Sequence, residues 1–257
     1  MHFCKMAEYF FYLEEVTLKR ALSVNIDHIA TLRQVRKGTY PFPVHACSYL
    51  EMAGCEGITV HLRTDRRHIQ DDDVVTLLKS SNLPVCLEMA AEPEMISFAT
   101  KYKPHKVTLV PERAEELTTE GGLDAVKWFD NLKININLLN KAGMVVTLFL
   151  EPDMEQIEAA FKLGVSAVEI HTGNYADAYQ KYNEKEELEK IKKAAEFGTK
   201  KGLIMNVGHG LHYQNTGALA EIDTISEFSI GHAIISRAVF CGLEEAVREM
   251  HRIVHRR

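Results

Sequence analysis

The chain has 257 residues, of which 46% are hydrophobic and 26% charged, and its formal net charge is −6. This length is sufficient to bury a large core without disulfides or metal ions. The acidic balance argues against a nucleic-acid partner, because binding along a phosphate backbone needs a surplus of basic residues. A small phosphorylated metabolite remains compatible with it, since a pocket needs only local positive charge.

Cysteine spacing and hydropathy indicate the compartment. The five cysteines are scattered, and none forms a C-x-x-C pair or a zinc-ribbon spacing. We therefore predict reduced thiols in a cytoplasmic protein. The longest apolar run, around Met144–Leu150, is far short of a membrane span, so no membrane partner is predicted. Residues 1–20 have an aromatic cluster but no small-residue cleavage site, which favours an N-terminal extension over a secretory signal.

Short apolar runs typical of buried parallel strands alternate with stretches of helical periodicity. The runs lie at Leu22–Ile26, Gly57–Leu62, Pro84–Met89, Lys106–Val110, Met144–Leu150, Ala167–Ile170, Leu203–Val207 and Phe228–Ile230. Gly54 and Gly164 follow helical stretches, where a left-handed C-cap residue belongs. Asp153 and Gln156 resemble a capping box. This alternation predicts a parallel sheet with right-handed crossovers, either a closed barrel or an open doubly wound sheet.

Polar residues gather at the carboxyl ends of the predicted strands. The set includes Asn25, Asp27, His28, His61, Arg63, Glu88, Glu169, His171, His209 and His232. A closed barrel brings these ends together at one mouth, where active sites are built, whereas an open sheet disperses them. The sequence therefore predicts an α/β fold, a (β/α)8 TIM barrel with extra helices, as a single domain over residues 21–257.

Individual residues in this set have competing interpretations. A lone buried histidine is usually a satisfied core residue, but here that explanation must be repeated five times. Glu88 ends a very apolar run, and burial of such a carboxyl raises its pKa toward the range of a useful base. Arg63, Arg66 and Arg67 form a charge run that ordinarily belongs to solvated surface. Arg63 stands apart because it shares a strand face with His61.

Two glycine-containing turns and one long polar loop are further candidates. Gly208-His209-Gly210 and Gly231-His232 follow the last two predicted strands, where barrels hold phosphate on backbone N–H groups. Glycine also suits any tight turn, so this signal is weak by itself. Residues 111–122 form a polar loop with the length of a lid, or alternatively a mobile surface loop.

Several segments together resemble a known family. They are SVNIDHIATLRQVR (23–36), GITVHLRTDRRHIQD (57–71), LEMA (87–90), LVPER…LTTEGGLD (109–124), EIHTGNYAD (169–177), NVGHGL (206–211) and IGHAIISRAV (230–239). In this order they are similar to the pyridoxine 5′-phosphate synthases of vitamin B6 biosynthesis. The resemblance runs from about residue 21 to the C-terminus, and residues 1–20 lie outside it.

The resemblance implies a transferase without cofactor or metal, assembled as a homo-oligomer, an octamer in that family. It implies condensation of 1-deoxy-D-xylulose 5-phosphate with 3-amino-2-oxopropyl phosphate to pyridoxine 5′-phosphate, with loss of phosphate and water. His61 and Glu88 would accept protons, His209 would donate one, and Glu169 would stabilise charge. The aminoketone phosphate would be bound by Asn25, Arg36, Gly210, Gly231 and His232. The deoxyxylulose phosphate would be bound by Asp27, His28, Arg63, His68 and Thr118. Repeated proton transfers need several such groups around one pocket.

Two departures from the family pattern and three rival functions stay open. Thr64 replaces an acidic residue and Asn174 a cysteine, neither at a position with an implied role. A metal-dependent hydrolase barrel is disfavoured because no H-x-H or H-E-x-x-H spacing occurs, and because Asp27 and His28 would lie on opposite faces of a regular strand. A Schiff-base aldolase is disfavoured because the strand lysine, Lys106, opens its strand. A non-catalytic barrel that binds a phosphorylated metabolite would not need the acid–base set.

Overall fold

The computed structural model describes residues 20–112 and 121–256. Eight parallel strands close into a barrel in chain order, with the first strand paired to both the second and the last. The strands are β1 (Ala21–Asn25), β2 (Gly57–His61), β3 (Val85–Met89), β4 (Lys106–Leu109), β5 (Val145–Leu150), β6 (Ala167–His171), β7 (Ile204–Gly208) and β8 (Ile225–Ile230). The predicted (β/α)8 barrel is confirmed, and the open sheet is excluded.

Helices cover the outside of the barrel. They are α1 (Asp27–Val35), α2 (Cys47–Ala53), α3 (Asp71–Ser80), α4 (Pro93–Tyr102), α5 (Phe129–Lys141), α6 (Met154–Leu163), α7 (Gly173–Ala178), α8 (Glu184–Lys200), α9 (Thr216–Ala220), α10 (His232–Cys241) and α11 (Leu243–Val254). The predicted extra helices follow β1, β6 and β8, each of which is succeeded by two. Within residues 20–112 and 121–256, no helix is both long and apolar enough to cross a membrane.

Strand boundaries differ from the prediction at two informative places. β8 begins at Ile225, three residues earlier than expected. The prediction missed this start because Glu227 interrupts the apolar run. Its side chain faces the barrel interior and forms an ion pair with Lys106 at the start of β4. β1 ends at Asn25, and Asp27 begins α1. The expectation that Asp27 and His28 occupy opposite faces of a strand is therefore wrong, and both side chains line one cavity.

The predicted helix ends are confirmed in part. Gly54 and Gly164 adopt the left-handed conformation at C-caps, with φ of 86° and 77°. The Asp153 carboxylate accepts hydrogen bonds from the Glu155 and Gln156 amides at the start of α6. The Gln156 side chain does not complete the box, because its oxygen accepts from the Ala125 amide at 2.7 Å.

The apolar core lies between the barrel and its helices, and the barrel interior is largely polar. On β1, Leu22 and Val24 belong to the apolar core, whereas Ser23 points inward and its hydroxyl lies 2.7 Å from that of Thr59 on β2. This separation follows from the two-residue alternation of a strand. The polar interior continues upward into the mouth, where the predicted site residues lie.

Candidate active site

A cavity of about 580 Å³ opens at the carboxyl ends of the strands, a volume usual for small-molecule sites. Twelve of the fourteen predicted site residues line it: Asn25, Asp27, His28, His61, Arg63, His68, Glu88, Glu169, His209, Gly210, Gly231 and His232. Arg36 is exposed just after α1 and is not among the lining residues. Thr118, like the predicted lid loop apart from its ends, lies outside the described residues.

Asp27 ties the ends of the first two strands together. One carboxylate oxygen accepts from the His61 amide at 2.8 Å, and the other accepts from the Asn25 side-chain amide at 2.9 Å. The Asn25 side-chain oxygen in turn accepts from the Asp27 amide at 3.0 Å. Asp27 is buried, and these bonds hold its charge at the floor of the cavity.

His61 lies between two carboxylates, one of which the sequence analysis missed. Its Nε2 is 2.9 Å from Oε1 of Glu112, the residue that opens the loop after β4, and its Nδ1 is 3.9 Å from Glu88. Glu112 Oε2 accepts from the Thr64 amide at 3.0 Å and from the Thr64 hydroxyl at 2.8 Å. Burial alone would raise the pKa of Glu112, but the bonds from His61 and Thr64 outweigh it and lower that pKa to about 2. The Nε2–H of His61 therefore points to Glu112, and its Nδ1 is left as a base.

Two carboxyl groups on the strands have pKa values shifted in the opposite direction, upward. Burial, with the nearby charges of Glu169 and Asp27, raises the pKa of Glu88 well above its usual range. Burial also raises the pKa of Glu169 to about 7, although Lys106 opposes the change. Such perturbed carboxyls in a cavity are typical of acid–base catalysis.

The His209 turn is fixed by backbone conformation and by one hydroxyl. His209 has φ of 79° and Gly210 has φ of 74°, two successive left-handed residues. The Thr172 hydroxyl donates to the carbonyls of Gly208 and His209, at 2.7 and 2.6 Å. A Cβ on Gly208 would lie 2.1 Å from Glu169 Oε1, so a larger residue here would have to displace this carboxyl. Burial, and then the neighbouring His171, lower the pKa of His209 to about 4.

His171 is a second feature to which the sequence analysis assigned no role. Its Nδ1 is 2.7 Å from Glu151, its ring centroid is 5.0 Å from that of His209, and its Nε2 is buried with no hydrogen-bond partner. Glu151 also accepts from the Gly122 amide at 2.8 Å. The position of His171 two residues after Glu169 was the available signal. Its partner Glu151 immediately follows β5, and the sequence does not indicate that the two residues are in contact.

Basic groups lie beyond the strand ends. Arg63 is only 2% exposed and lines the cavity, as expected from its strand face. Arg66 pairs with Asp71 and Glu94 and is not among the lining residues, whereas Arg67 lines the cavity and was missed. The charge-run interpretation therefore fits Arg66 alone. Together, Arg63 and Arg67 supply the local positive charge that anion binding needs.

His68 is oriented by its own loop. Its Nδ1 accepts from the Ile69 amide at 2.8 Å, so a neutral ring has its proton on Nε2 and can donate it to a ligand. Burial lowers the pKa of His68. Behind it, Arg33 and Asp73 form a buried bidentate pair at 2.7 and 2.6 Å, and Arg33 also donates to the His68 carbonyl at 3.2 Å.

The opposite rim is formed by the turn after β8. The rings of His28 and His232 meet edge to face at 5.1 Å between centroids. Gly231 packs so closely on Asn25 that an added Cβ would lie 2.9 Å from its Cβ. Burial lowers the pKa of His28, which favours the neutral form of this ring.

One side-chain group in the mouth has the composition of a metal site. Donor atoms of Asp27, His61 and Glu88 all lie within 4.8 Å of one another. Asp27 and His61 are already engaged by the hydrogen bonds given above, so a metal-free site stays our prediction. Lys106 is buried, paired with Glu227 and not among the lining residues, which disfavours Schiff-base chemistry at the mouth.

Comparisons with known proteins find a matching family model and similar relatives. Residues 22–256 match the family model described as "Pyridoxal phosphate biosynthesis protein PdxJ". The chain is 52% identical over 236 residues to the pyridoxine 5′-phosphate synthase of Sulfurihydrogenibium sp. (strain YO3AOP1), covering 91% of this chain and 97% of that one. It is 50% identical over 233 residues to that of Aliivibrio fischeri, covering 91% and 96%.

Solved structures that share the fold have little sequence in common with it. KGPDC from Streptococcus mutans superposes with a TM-score of 0.63 at 14% identity, covering 92% of this chain and 98% of that one. The tryptophan synthase A-subunit from Pyrococcus furiosus gives a TM-score of 0.62 at 8% identity, covering 92% and 97%. These two structural similarities show the barrel fold alone.

Proposed function

Because the chain belongs to the PdxJ family of pyridoxal phosphate biosynthesis proteins, it is an enzyme, and we propose that its barrel mouth performs the pyridoxine 5′-phosphate synthase reaction. In that reaction 1-deoxy-D-xylulose 5-phosphate and 3-amino-2-oxopropyl phosphate condense and close a pyridine ring. The observation that carries the proposal is the convergence of twelve implied site residues on one cavity of about 580 Å³.

The proton transfers are assigned to four groups. His61 accepts a proton through Nδ1, since its Nε2 is directed at Glu112. Glu88 accepts another, because a carboxylate whose pKa is raised is a stronger base once ionised. Glu169, with a pKa of about 7, exchanges a proton readily at neutral pH and stabilises charge next to the His209 turn.

His209 is the proton donor in this assignment. A pKa of about 4 leaves it neutral near pH 7 before substrate binds. A dianionic phosphate entering the cavity stabilises the imidazolium and so raises this pKa toward the working range. The donor is therefore charged mainly when substrate is present, and its proton then goes to a leaving oxygen.

Two substrate-binding sets are assigned. Asn25, Gly210, Gly231 and His232 bind the aminoketone phosphate beside the turns that follow β7 and β8. Asp27, His28, Arg63 and His68 bind the deoxyxylulose phosphate, and Arg67 is added to this set because it lines the same cavity. Arg36 and Thr118 stay in the proposal on the family resemblance alone.

Assembly and location are also proposals. Leu32 and Val35 on α1, with Val239 and Phe240 on α10, are 57%, 77%, 73% and 86% exposed. Exposed apolar side chains on helices in contact with each other favour a homo-oligomeric interface, consistent with the octamer implied by the resemblance. Three buried, unpaired cysteines among the described residues support a cytoplasmic location.

The test mixes chelator-treated protein with both substrates and follows pyridoxine 5′-phosphate and released phosphate. We expect both products in equal amounts, and a loss of at least ~100-fold in Glu88→Gln and His209→Ala. Product with little loss in the variants would refute the role assignments. Activity that appears only on adding zinc would instead favour a metal-dependent site at Asp27, His61 and Glu88. Binding of both substrates without product would indicate a non-catalytic barrel.

A further inference from the structure

A second group of ionisable side chains lies at the opposite end of the barrel from the mouth. Glu56 immediately precedes β2, and His251 and His255 lie one turn apart at the end of α11. We call these three residues the basal cluster. Glu56 Oε1 is 3.0 Å from His251 Nε2 and 3.4 Å from His255 Nε2, and the two rings stack with centroids 3.9 Å apart. One carboxylate oxygen thus faces two imidazole nitrogens.

The ring nitrogens of His255 contact hydrogen-bond acceptors alone, an arrangement that favours a positive charge at this position. Its Nδ1 contacts the backbone carbonyl of His251 at 2.9 Å, and its Nε2 contacts that of Arg20 at 2.8 Å as well as Glu56. All of these partners are acceptors, yet a neutral imidazole has a single N–H. With Nδ1 donating, the Nε2 lone pair faces oxygen lone pairs from two directions. A cation between them removes that repulsion.

The surroundings match those of a histidine-ligated metal. A metal-binding imidazole usually donates its other N–H to a carbonyl or carboxylate, as His255 Nδ1 does to the His251 carbonyl. Glu56 Oε2 accepts from the Leu22 amide at 2.7 Å, which fixes the carboxylate with Oε1 directed at the two imidazoles. Ligands placed about 2.0–2.1 Å from a tetrahedral zinc lie about 3.3 Å from one another. The two carboxylate–imidazole distances, 3.0 and 3.4 Å, are close to this value, and all three donor atoms lie within 4.8 Å of one another.

We propose that the basal cluster binds one divalent transition-metal ion of the zinc type. His251 Nε2, His255 Nε2 and Glu56 Oε1 are its side-chain ligands, and the Arg20 carbonyl or water takes the fourth position. Two imidazoles and one carboxylate are the donor set that suits such an ion. The ion joins the last helix to the starts of β1 and β2, so its role is to stabilise the barrel and not to take part in catalysis.

The experiment measures zinc and cobalt binding to the full chain after chelator treatment, by calorimetry and by the visible spectrum of cobalt. We expect one equivalent to bind, with affinity at least ~100-fold weaker in His251→Gln and in His255→Gln. His45→Gln removes an exposed histidine elsewhere and should bind normally. Zinc at 100 times its Kd should raise the Tm of the wild type by about 5 °C and leave that of the two cluster variants unchanged.

A further variant locates the ion. His61→Gln alters the mouth group of Asp27, His61 and Glu88 and should retain zinc binding. Loss of binding in His61→Gln, with binding retained in His251→Gln, would place the ion at the mouth and overturn the proposal. So would the absence of stoichiometric binding in the wild type. Zinc would then leave the Tm of the wild type unchanged, as it does that of the two cluster variants. Circular dichroism establishes that each variant is folded, and Glu56→Gln repeats the test from the third ligand.

Discussion

Removing one partner of the Arg33–Asp73 pair should destabilise the protein strongly. Both side chains are 8% exposed, and two hydrogen bonds of 2.7 and 2.6 Å join them. Arg33→Met leaves the Asp73 carboxylate buried without its counter-charge, and Asp73→Asn does the same to the guanidinium. Breaking a buried pair in this way costs about 3–5 kcal/mol. At about 2–4 °C per kcal/mol, the Tm should fall by about 10 °C.

The loss of Arg33 should also weaken substrate binding in the cavity. Arg33 also donates to the His68 carbonyl at 3.2 Å, so its loss frees the loop that holds His68 against the ligand. We expect KM for the deoxyxylulose phosphate to rise about tenfold, about 1.4 kcal/mol of binding, with KM for the aminoketone unchanged. Asp73→Asn keeps the acceptor that caps α3 and should affect this KM less than Arg33→Met.

Thermal unfolding of the two single variants and the double variant forms a mutant cycle. We expect the double variant to be less destabilised than the sum of the singles, because neither charge is then buried alone. Single variants that each cost under about 1 kcal/mol, or a double variant that costs the full sum, would show that the pair contributes as an exposed pair does and would refute this reasoning.

Four further outcomes follow from the site. Glu112→Gln removes the carboxylate that holds the Nε2–H of His61 and should lower kcat about 100-fold with little change in KM; equal kcat in steady-state assays would exclude an orienting role. Glu169→Gln should abolish activity yet stabilise the fold above pH 7. The folded-state pKa of Glu169, about 7, is above its usual value, so its stability contribution is present below pH ~4.5 and is lost as pH rises through 7; denaturant titrations at pH 5 and 8 check this. His209→Gln should reduce acid sensitivity between pH 6.5 and 4, because a lowered histidine pKa costs stability as pH falls through that window. Gly208→Ala should displace Glu169 and lose activity while remaining folded, as measured by turnover and circular dichroism.

The fold could be predicted because its determinants are local. Seven strands were located within one residue from short apolar runs, and the convergence of polar strand ends distinguished a barrel from an open sheet. The exception is instructive. Glu227 breaks the apolar pattern of β8, and its partner Lys106 is 121 residues away along the chain, so neither residue alone indicates an inward-facing ion pair.

The site could be predicted less completely for the same reason. Twelve of the residues to which the resemblance assigned a role line the cavity. Glu112, although it lies in the quoted segment 109–124, and Glu151 were missed. Their significance lies in which histidine each contacts, across 51 and 20 residues of sequence. Arg67 was missed because a run of arginines does not reveal which member turns inward.

A barrel whose interior is polar has a consequence for ligand binding. The pKa of Glu88 is raised well above its usual range and that of Glu169 is raised to about 7, whereas that of His209 is lowered to about 4. Two anionic phosphates entering this space should raise these pKa values, so His209 and Glu169 take up protons from solvent as the substrates bind. The apparent binding enthalpy should then depend on the ionisation heat of the buffer. The affinity for the substrates should weaken as pH increases, even over a pH range in which no substrate group titrates. The barrel interior therefore takes up protons when the substrates bind and supplies protons during ring closure.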